Sequence, residues 1–412
     1  MDQIYSQAYI TLIAAAGDDS SYGLPGTQRR KRRQQGLCTI GEVRIIQIFP
    51  HASAELSTSK WAERGWTYQE GYLSPRRLIF TDDQVSYLCN AMHYTETVKK
   101  AQELSENESF TDRCAFLDIV RSSSSNTTPN EQWNQLKSQL LNYTKRKLTR
   151  EYDSLNAALG MFNTLESSRI QHLYGIPLRR RGSIHELSIA WYHDNTGTRR
   201  QLFPSWSWSG WEGGIYMNED DVRIPGSCKI DLVDSDDNTV TLTSLTDKTL
   251  RGGKSSSPNV PKTLSITGLT LQVTFKEEGW ADLSEDRSYR KGLHVVLPVC
   301  ERVMALAYAY MDEIISPDEE ILGLLLGPKD TERHWKQRRS LLLLKHIEGQ
   351  IYQRVGLARI SFNPHSIRGK VGGREPQIVY VDEKGKPLDQ VAWSDNPPLW
   401  LGDCVSQTIK IV

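Results

Sequence analysis

Neither sign of charge is in excess, since Lys plus Arg number 50 and Asp plus Glu also number 50. A balanced chain sets up no overall field to gather nucleic acid or an anionic membrane, so neither is expected as a partner. Six cysteines (Cys38, Cys89, Cys114, Cys228, Cys300, Cys404) lie far apart and form no C-x-x-C pair. That excludes a zinc ribbon and a dense disulfide framework, and the histidines show no H-E-x-x-H or other ligand spacing, so no metal is expected. Scattered thiols of this kind read as reduced and mostly buried, in an intracellular protein. No apolar run approaches the roughly 18–20 residues that cross a bilayer. The opening MDQIYSQAYITLIAAAG has a short apolar stretch but no cationic start, because Arg29 is the first cation. The expected location is therefore the cytoplasm, and the N-x-[ST] sequons starting at Asn107, Asn126 and Asn142 are expected to be idle.

What is present is a soluble, globular composition with 38% hydrophobic and 24% charged residues, and a length that allows two or three domains. Residues 1–100 alternate between helix and strand. Ile4, Tyr5 and Ala8 fall at helical spacing, residues 9–14 form a small apolar strand, and VRIIQIF (residues 43–49) forms another. A helix is predicted over residues 61–73, stopped at Ser74-Pro75 because proline disfavours helical geometry before it. RRLIF and QVSYLC follow as two strands. Such alternation favours an α/β sheet with crossover helices.

SSSSNTTPN (residues 122–130) is the best linker, and LKSQLLNYTKRKL and DSLNAALGMF then have helical spacing, with Asp153 or Ser154 as a cap for the second. From about Phe203 the chain turns to short β-branched and apolar strands: KTLSITGLTLQVTF, LHVVLPV, ILGLLLG, SLLLLKHI and IYQRVGLARISF. The expected organisation is an α/β region at 1–100, a helical connector at 101–202 and a β-rich domain at 203–412, with no regular internal repeat.

Three segments, in order, resemble the fungal heterokaryon-incompatibility (HET) family. They are IYSQAYITLIAAAGDDSSYGLPG (residues 4–26), RGWTYQEGYLSPRRLIFTDDQVSYLC (residues 64–89), and DSLNAALGMF with FPSWSWSGWEGG (residues 153–162 and 203–214). The second is the most specific. Family members usually open the domain with an aromatic strand motif ending in Trp-Gly and a later Cys-Ile-Asn-Gln run, neither of which this sequence has. The resemblance therefore implies an N-terminally truncated HET region that lacks its first strands. It also implies a partial TIR-like, flavodoxin-like fold, since the HET domain is regarded as a distant relative of TIR domains. Its implied role is non-self recognition leading to programmed cell death, with self-association or a protein partner as the switch.

Several TIR proteins cleave the nicotinamide–ribose bond of NAD with a glutamate in a W-x-x-x-E helix, and Trp66 and Glu70 have that spacing. Residues four apart share a helical face, so indole and carboxylate would line one cleft. A carboxylate suits the chemistry because breaking an N-glycosidic bond builds positive charge on the ribose. On this reading Glu70 is catalytic, Trp66 and Arg64 bind substrate, NAD is a substrate and no cofactor is needed. The competing reading makes Trp66 a core residue and pairs Glu70 with Arg64, Arg76 or Arg77. Spacing alone does not decide, because Trp208 and Glu212 share it in a Gly-rich segment.

Other candidates have blander readings. RRKRR (residues 29–33) and RRR (residues 179–181) lack interleaved aromatics and read as solvated loops. Gly252-Gly253-Lys254-Ser255 fails as a phosphate loop because the required first glycine falls at Lys248. Cys89 with His93 has no third group to orient a nucleophile. In FPSWSWSGW, Trp206 and Trp208 would share a strand face, with a bulge at Gly210 redirecting Trp211. Packing into a core or seam is expected for all three indoles.

Overall fold

A computed structural model describes residues 1–27, 30–50, 52–89, 92–96, 102–103, 128–164, 170–181, 184–193, 195–217, 222–224, 228–242, 261–278, 292–316, 319–327, 339–360, 378–382, 388 and 398–412. The chain divides into two compact units, Met1–Ser168 and Arg169–Val412. Most of the serine-rich linker (122–127) and the Gly252–Ser255 motif lie outside the described residues.

The first unit is built on a five-stranded sheet in the order β1-β4-β5-β6-β7, comprising β1 (Thr11–Ala14), β4 (Arg76–Phe80), β5 (Val85–Cys89), β6 (Met92–Thr95) and β7 (Gln102–Glu103). Between β1 and β4 the chain makes an exposed hairpin of β2 (Leu37–Ile40) and β3 (Val43–Ile46), then helices α2 (Ala52–Ser57), α3 (Lys60–Glu63) and α4 (Gly65–Leu73). Helix α1 (Asp2–Gln7) precedes β1. The helical crossover makes β1 and β4 parallel, and every other pair in this sheet is antiparallel. An α/β region is thus present, but the all-parallel sheet of a flavodoxin-like fold is not formed by the described strands. The reason is local: Thr81 and Gln84 close a tight turn (Thr81 N to Gln84 O, 3.1 Å), which can join β4 and β5 only as a hairpin.

Alternation along β4 and β5 puts Ile79, Ser86 and Leu88 on a buried face, where Ile13, Ala52, Leu56 and Trp61 complete the core. The opposite face carries Leu12, Leu78, Phe80, Val85 and Tyr87, all half-buried or exposed. Arg77 points into the core side, yet it pairs with no carboxylate of α4. Its Nε donates to Gly71 O (2.5 Å), capping the carbonyl end of α4, and burial pulls its pKa down to about 10.

The predicted single helix over 61–73 is two helices. Arg64 breaks it with an extended ψ of 134°. The break is held by a parallel bridge to Lys147, with Gly65 N donating to Lys147 O (2.8 Å). Gly65 packs closely on Leu148: a Cβ there would lie 2.3 Å from Leu148 Cδ2, so a larger residue would have to displace that side chain. The C-terminal stop at Ser74 is as expected.

Helix Pro129–Thr144 opens with a full capping box, Thr128 with Glu131, and packs Trp133, Leu136, Leu140 and Tyr143 inward. Short helices Asp153–Asn156 and Leu159–Asn163 follow. Among the described residues, helix in the expected 101–202 connector lies within 129–163, and the described chain from Ile170 to Arg199 is strand and loop. β-branched Ile170, Ile176 and Ile184 and the Tyr174-Gly175 turn, with Gly175 at φ 89°, favour hairpins there.

The second unit is β-rich, as expected. It has a four-stranded antiparallel sheet, Ile170–Leu173, Ile176–Arg181, Ile184–Leu187 and Val222–Ile224. Its larger sheet runs through Thr263–Glu278, Gly292–Cys300, Val303–Met311, Ile351–Ile360, Arg339–Glu348 and Ile321–Leu326, each antiparallel to the next. Ile321–Leu326 then pairs back onto Thr263–Glu278, with Thr270 opposite Leu324, so these six strands close into a barrel. Closure removes sheet edges, and Val295, Leu297, Ala305, Leu341, Leu343, Val355 and Ala358 fill the interior.

Candidate functional site

Helix α4 buries Gly65, Thr67, Tyr68, Gln69, Gly71, Tyr72 and Leu73, leaving Trp66 and Glu70 as its half-open positions. The W-x-x-x-E spacing therefore does place indole and carboxylate on one stripe. Their polar atoms, however, go to different partners. Trp66 Nε1 donates to Asp153 Oδ2 (3.0 Å), and Glu70 Oε2 accepts from Trp61 Nε1 (3.3 Å). The phenol of Tyr5 on α1 reaches Glu70 as well, and burial together with this carboxylate raises the Tyr5 pKa to about 12. Glu70 thus accepts the Trp61 indole, has the Tyr5 phenol nearby, and makes no salt bridge among the described residues.

The expected alternative pairings are not formed. Arg77 caps α4, Arg76 donates to Tyr9 O (3.3 Å), and Arg64 lies exposed at the helix start. Arg64 contributes its backbone, not its charge: Arg146 Nη1 donates to its carbonyl (3.3 Å). Asp153 does not cap its own helix, whose N-cap residue Tyr152 makes no side-chain cap bond; its carboxylate holds Trp66 instead. Tyr5, Trp61 and Asp153 were not singled out as site residues in the sequence, because their roles depend on contacts 9 to 87 residues away.

The arrangement offers a half-exposed carboxylate flanked by indole and phenol donors. It can accept hydrogen bonds from a hydroxylated ligand. No group of three or more His, Cys, Asp or Glu side chains suited to a metal occurs among the described residues.

Other candidates resolve as packing. Leu88 stands opposite His93 in the β5–β6 ladder, so Cys89 and His93 project to opposite faces and form no dyad. Of the basic run, Arg30 stacks 3.7 Å above Tyr22, Arg32 pairs with Glu96 and Arg33 with Asp83 (3.1 Å). Residues 203–210 form no strand; Trp208–Gly210 is a turn of 3-10 helix with Ser207 Oγ accepting from Ser209 N (3.1 Å). Trp206, Trp208 and Trp211 are all at most 1% exposed. Each indole N–H donates to a carbonyl: Lys262 (2.8 Å), Gly175 (2.6 Å) and Ser205 (2.8 Å).

The second unit also holds a charge cluster that no sequence pattern announced. Asp312 accepts from Arg354 Nε (2.8 Å) and contacts His193 Nδ1 (2.9 Å), with all three side chains fully buried. Burial alone would raise the Asp312 carboxyl, but Arg354 and then His193 outweigh it and hold it below the usual carboxylate value. Arg354 also lies 3.3 Å above the Trp191 ring and donates to Ile189 O (2.9 Å). This is a structural tie, sealed from solvent.

Among the described residues no helix is long and apolar enough to cross a membrane. Neither the curated proteins nor the solved structures gave a match to this chain. The model of the family described as heterokaryon incompatibility protein (HET) matches residues 1–70, the stretch from α1 through the Trp66–Glu70 stripe. Over these residues the chain is similar to the heterokaryon incompatibility (HET) family, and the match supports a function related to heterokaryon incompatibility.

Proposed function

We propose that the chain acts in the cytoplasm of a fungus in non-self recognition leading to programmed cell death, as a signalling and interaction module. The carrying observation is that the HET-matched segment is also where apolar surface lies open. Leu37, Ile40, Val43, Ile45, Ile46 and Ile48 are each at least 50% exposed on and beside the β2–β3 hairpin. Contiguous exposed apolar residues mark protein contact surfaces. Glu70, held by two aromatic donors, reads here as a structural clasp between α1, α3 and α4. Expression of the chain in hyphae is expected to arrest growth, and healthy growth at matched expression would refute the reading.

A second reading is favoured by the half-open Trp66–Glu70 stripe and by the absence of a salt bridge on Glu70. In it the first unit is TIR-like, the parallel β1–β4 crossover being what supports that relation, and cleaves NAD. Glu70 then stabilises the ribosyl cation, Trp66 shapes the pocket and Arg64 meets the phosphates. NAD consumption by purified chain separates the two. Turnover abolished by Glu70→Gln supports the enzyme; no turnover above a no-protein control, with the fold intact, supports the module.

A further inference from the structure

We infer that β1 is a self-association edge, where a second copy of this chain adds its own β1 in antiparallel register. This rests on the reading of the first unit as an interaction module and names its partner. Among the described residues β1 ends the sheet order, with β4 as its strand partner. Ala15 N donates to Phe80 O (2.9 Å), so residues 11, 13 and 15 turn their main-chain groups toward β4. The amides and carbonyls of Leu12 and Ala14, on the alternate positions, face away from the sheet. Exposure agrees: Tyr9 is 81%, Ile10 37% and Leu12 56% accessible.

Edges of this kind are ordinarily guarded by lysine, proline or a bulge. Residues 9–16 (YITLIAAA) contain no charge, no proline and no glycine. A two-fold antiparallel pairing sets the central residue against its own counterpart, where a charge would meet a like charge. This segment has none to meet. Centred on Leu12, the register sets Leu12 against Leu12 and Ile10 against Ala14 of the second copy. Every outward main-chain group at residues 10, 12 and 14 then finds a partner, and the large Ile10 faces the small Ala14 on either side of the central Leu12 pair. The ends are complementary too. The acidic turn at Asp18 and Asp19 of one copy runs toward Tyr9 of the other, where Arg76 lies exposed with its guanidinium 5.1 Å from the Tyr9 ring. The half-covered face of Leu12, Leu78, Phe80 and Tyr87 would continue across both copies.

The test is sedimentation velocity of the full chain across a concentration series, with circular dichroism as the fold control. The wild type is expected to dimerise. Leu12→Lys, which sets two lysines face to face, is expected to weaken the dimer by at least about tenfold. Ala14→Pro removes an outward amide while leaving the β1–β4 bonds, and should do the same. Leu12→Cys in a Cys38→Ser background should oxidise to a covalent dimer, a readout that needs no destabilising change. A monomer at all concentrations, or a dimer untouched by both edge variants and not cross-linked through residue 12, overturns the inference. Growth arrest by a chain that stays monomeric would discard this edge and leave the module reading standing.

Discussion

Trp66 shows how a side chain's partner decides its meaning. Its indole is fixed by Asp153, a carboxylate 87 residues away, so the W-x-x-x-E spacing is in part the anchoring of α4 to the helix at Asp153–Asn156. Trp66→Phe should lower unfolding stability by about 1.5–3 kcal/mol in urea titration, the worth of one hydrogen bond to a charged group. Asp153→Asn combined with it should cost little more, since both changes remove the same bond. His172 gives a second test at this scale. Half-buried and desolvated, it has its pKa held down to about 4, against 6.5 when free, so below pH 6.5 the unfolded chain binds a proton that the folded chain refuses. Stability is therefore expected to fall as pH drops from 6.5 toward 4, by at most about 3 kcal/mol, and His172→Gln should flatten that part of the profile. An unchanged slope in the variant would refute the assignment.

Among the elements, the strands were the most legible. Alternation in RRLIF and VSYLC reads directly as β4 and β5, because one face is buried and the other is not. Ser74-Pro75 ends α4 for a reason contained in two residues. What could not be read is whatever a distant segment imposes. The break at Arg64 is made by Lys147, the clasp on Glu70 by Trp61 and Tyr5, and the barrel closure by the pairing of Thr270 with Leu324. FPSWSWSGW reads as a strand, yet serine hydroxyls and remote carbonyls fold it into a turn. The buried tie among His193, Asp312 and Arg354 joins Trp191–His193 to the barrel strands, and no local pattern predicts it. Arg354→Leu leaves Asp312 buried without its main counter-charge and should cost about 3–5 kcal/mol. Replacing Asp312 by leucine as well should recover a measurable part of that loss, which chemical denaturation of both variants would show.

For the whole molecule, the two units build their main sheets differently. The barrel of the second unit closes on itself, whereas in the first unit, which carries the HET match, β1 ends the sheet and the β2–β3 hairpin stands exposed among the described residues. The proposed self-association rests on this charge-free edge. The most direct measurement is growth arrest in hyphae expressing the wild type, Glu70→Gln or Leu12→Lys at matched levels. Arrest that survives Glu70→Gln and is lost with Leu12→Lys is the expected result. Arrest lost with Glu70→Gln and kept with Leu12→Lys would contradict it and place the activity in the carboxylate instead of the edge.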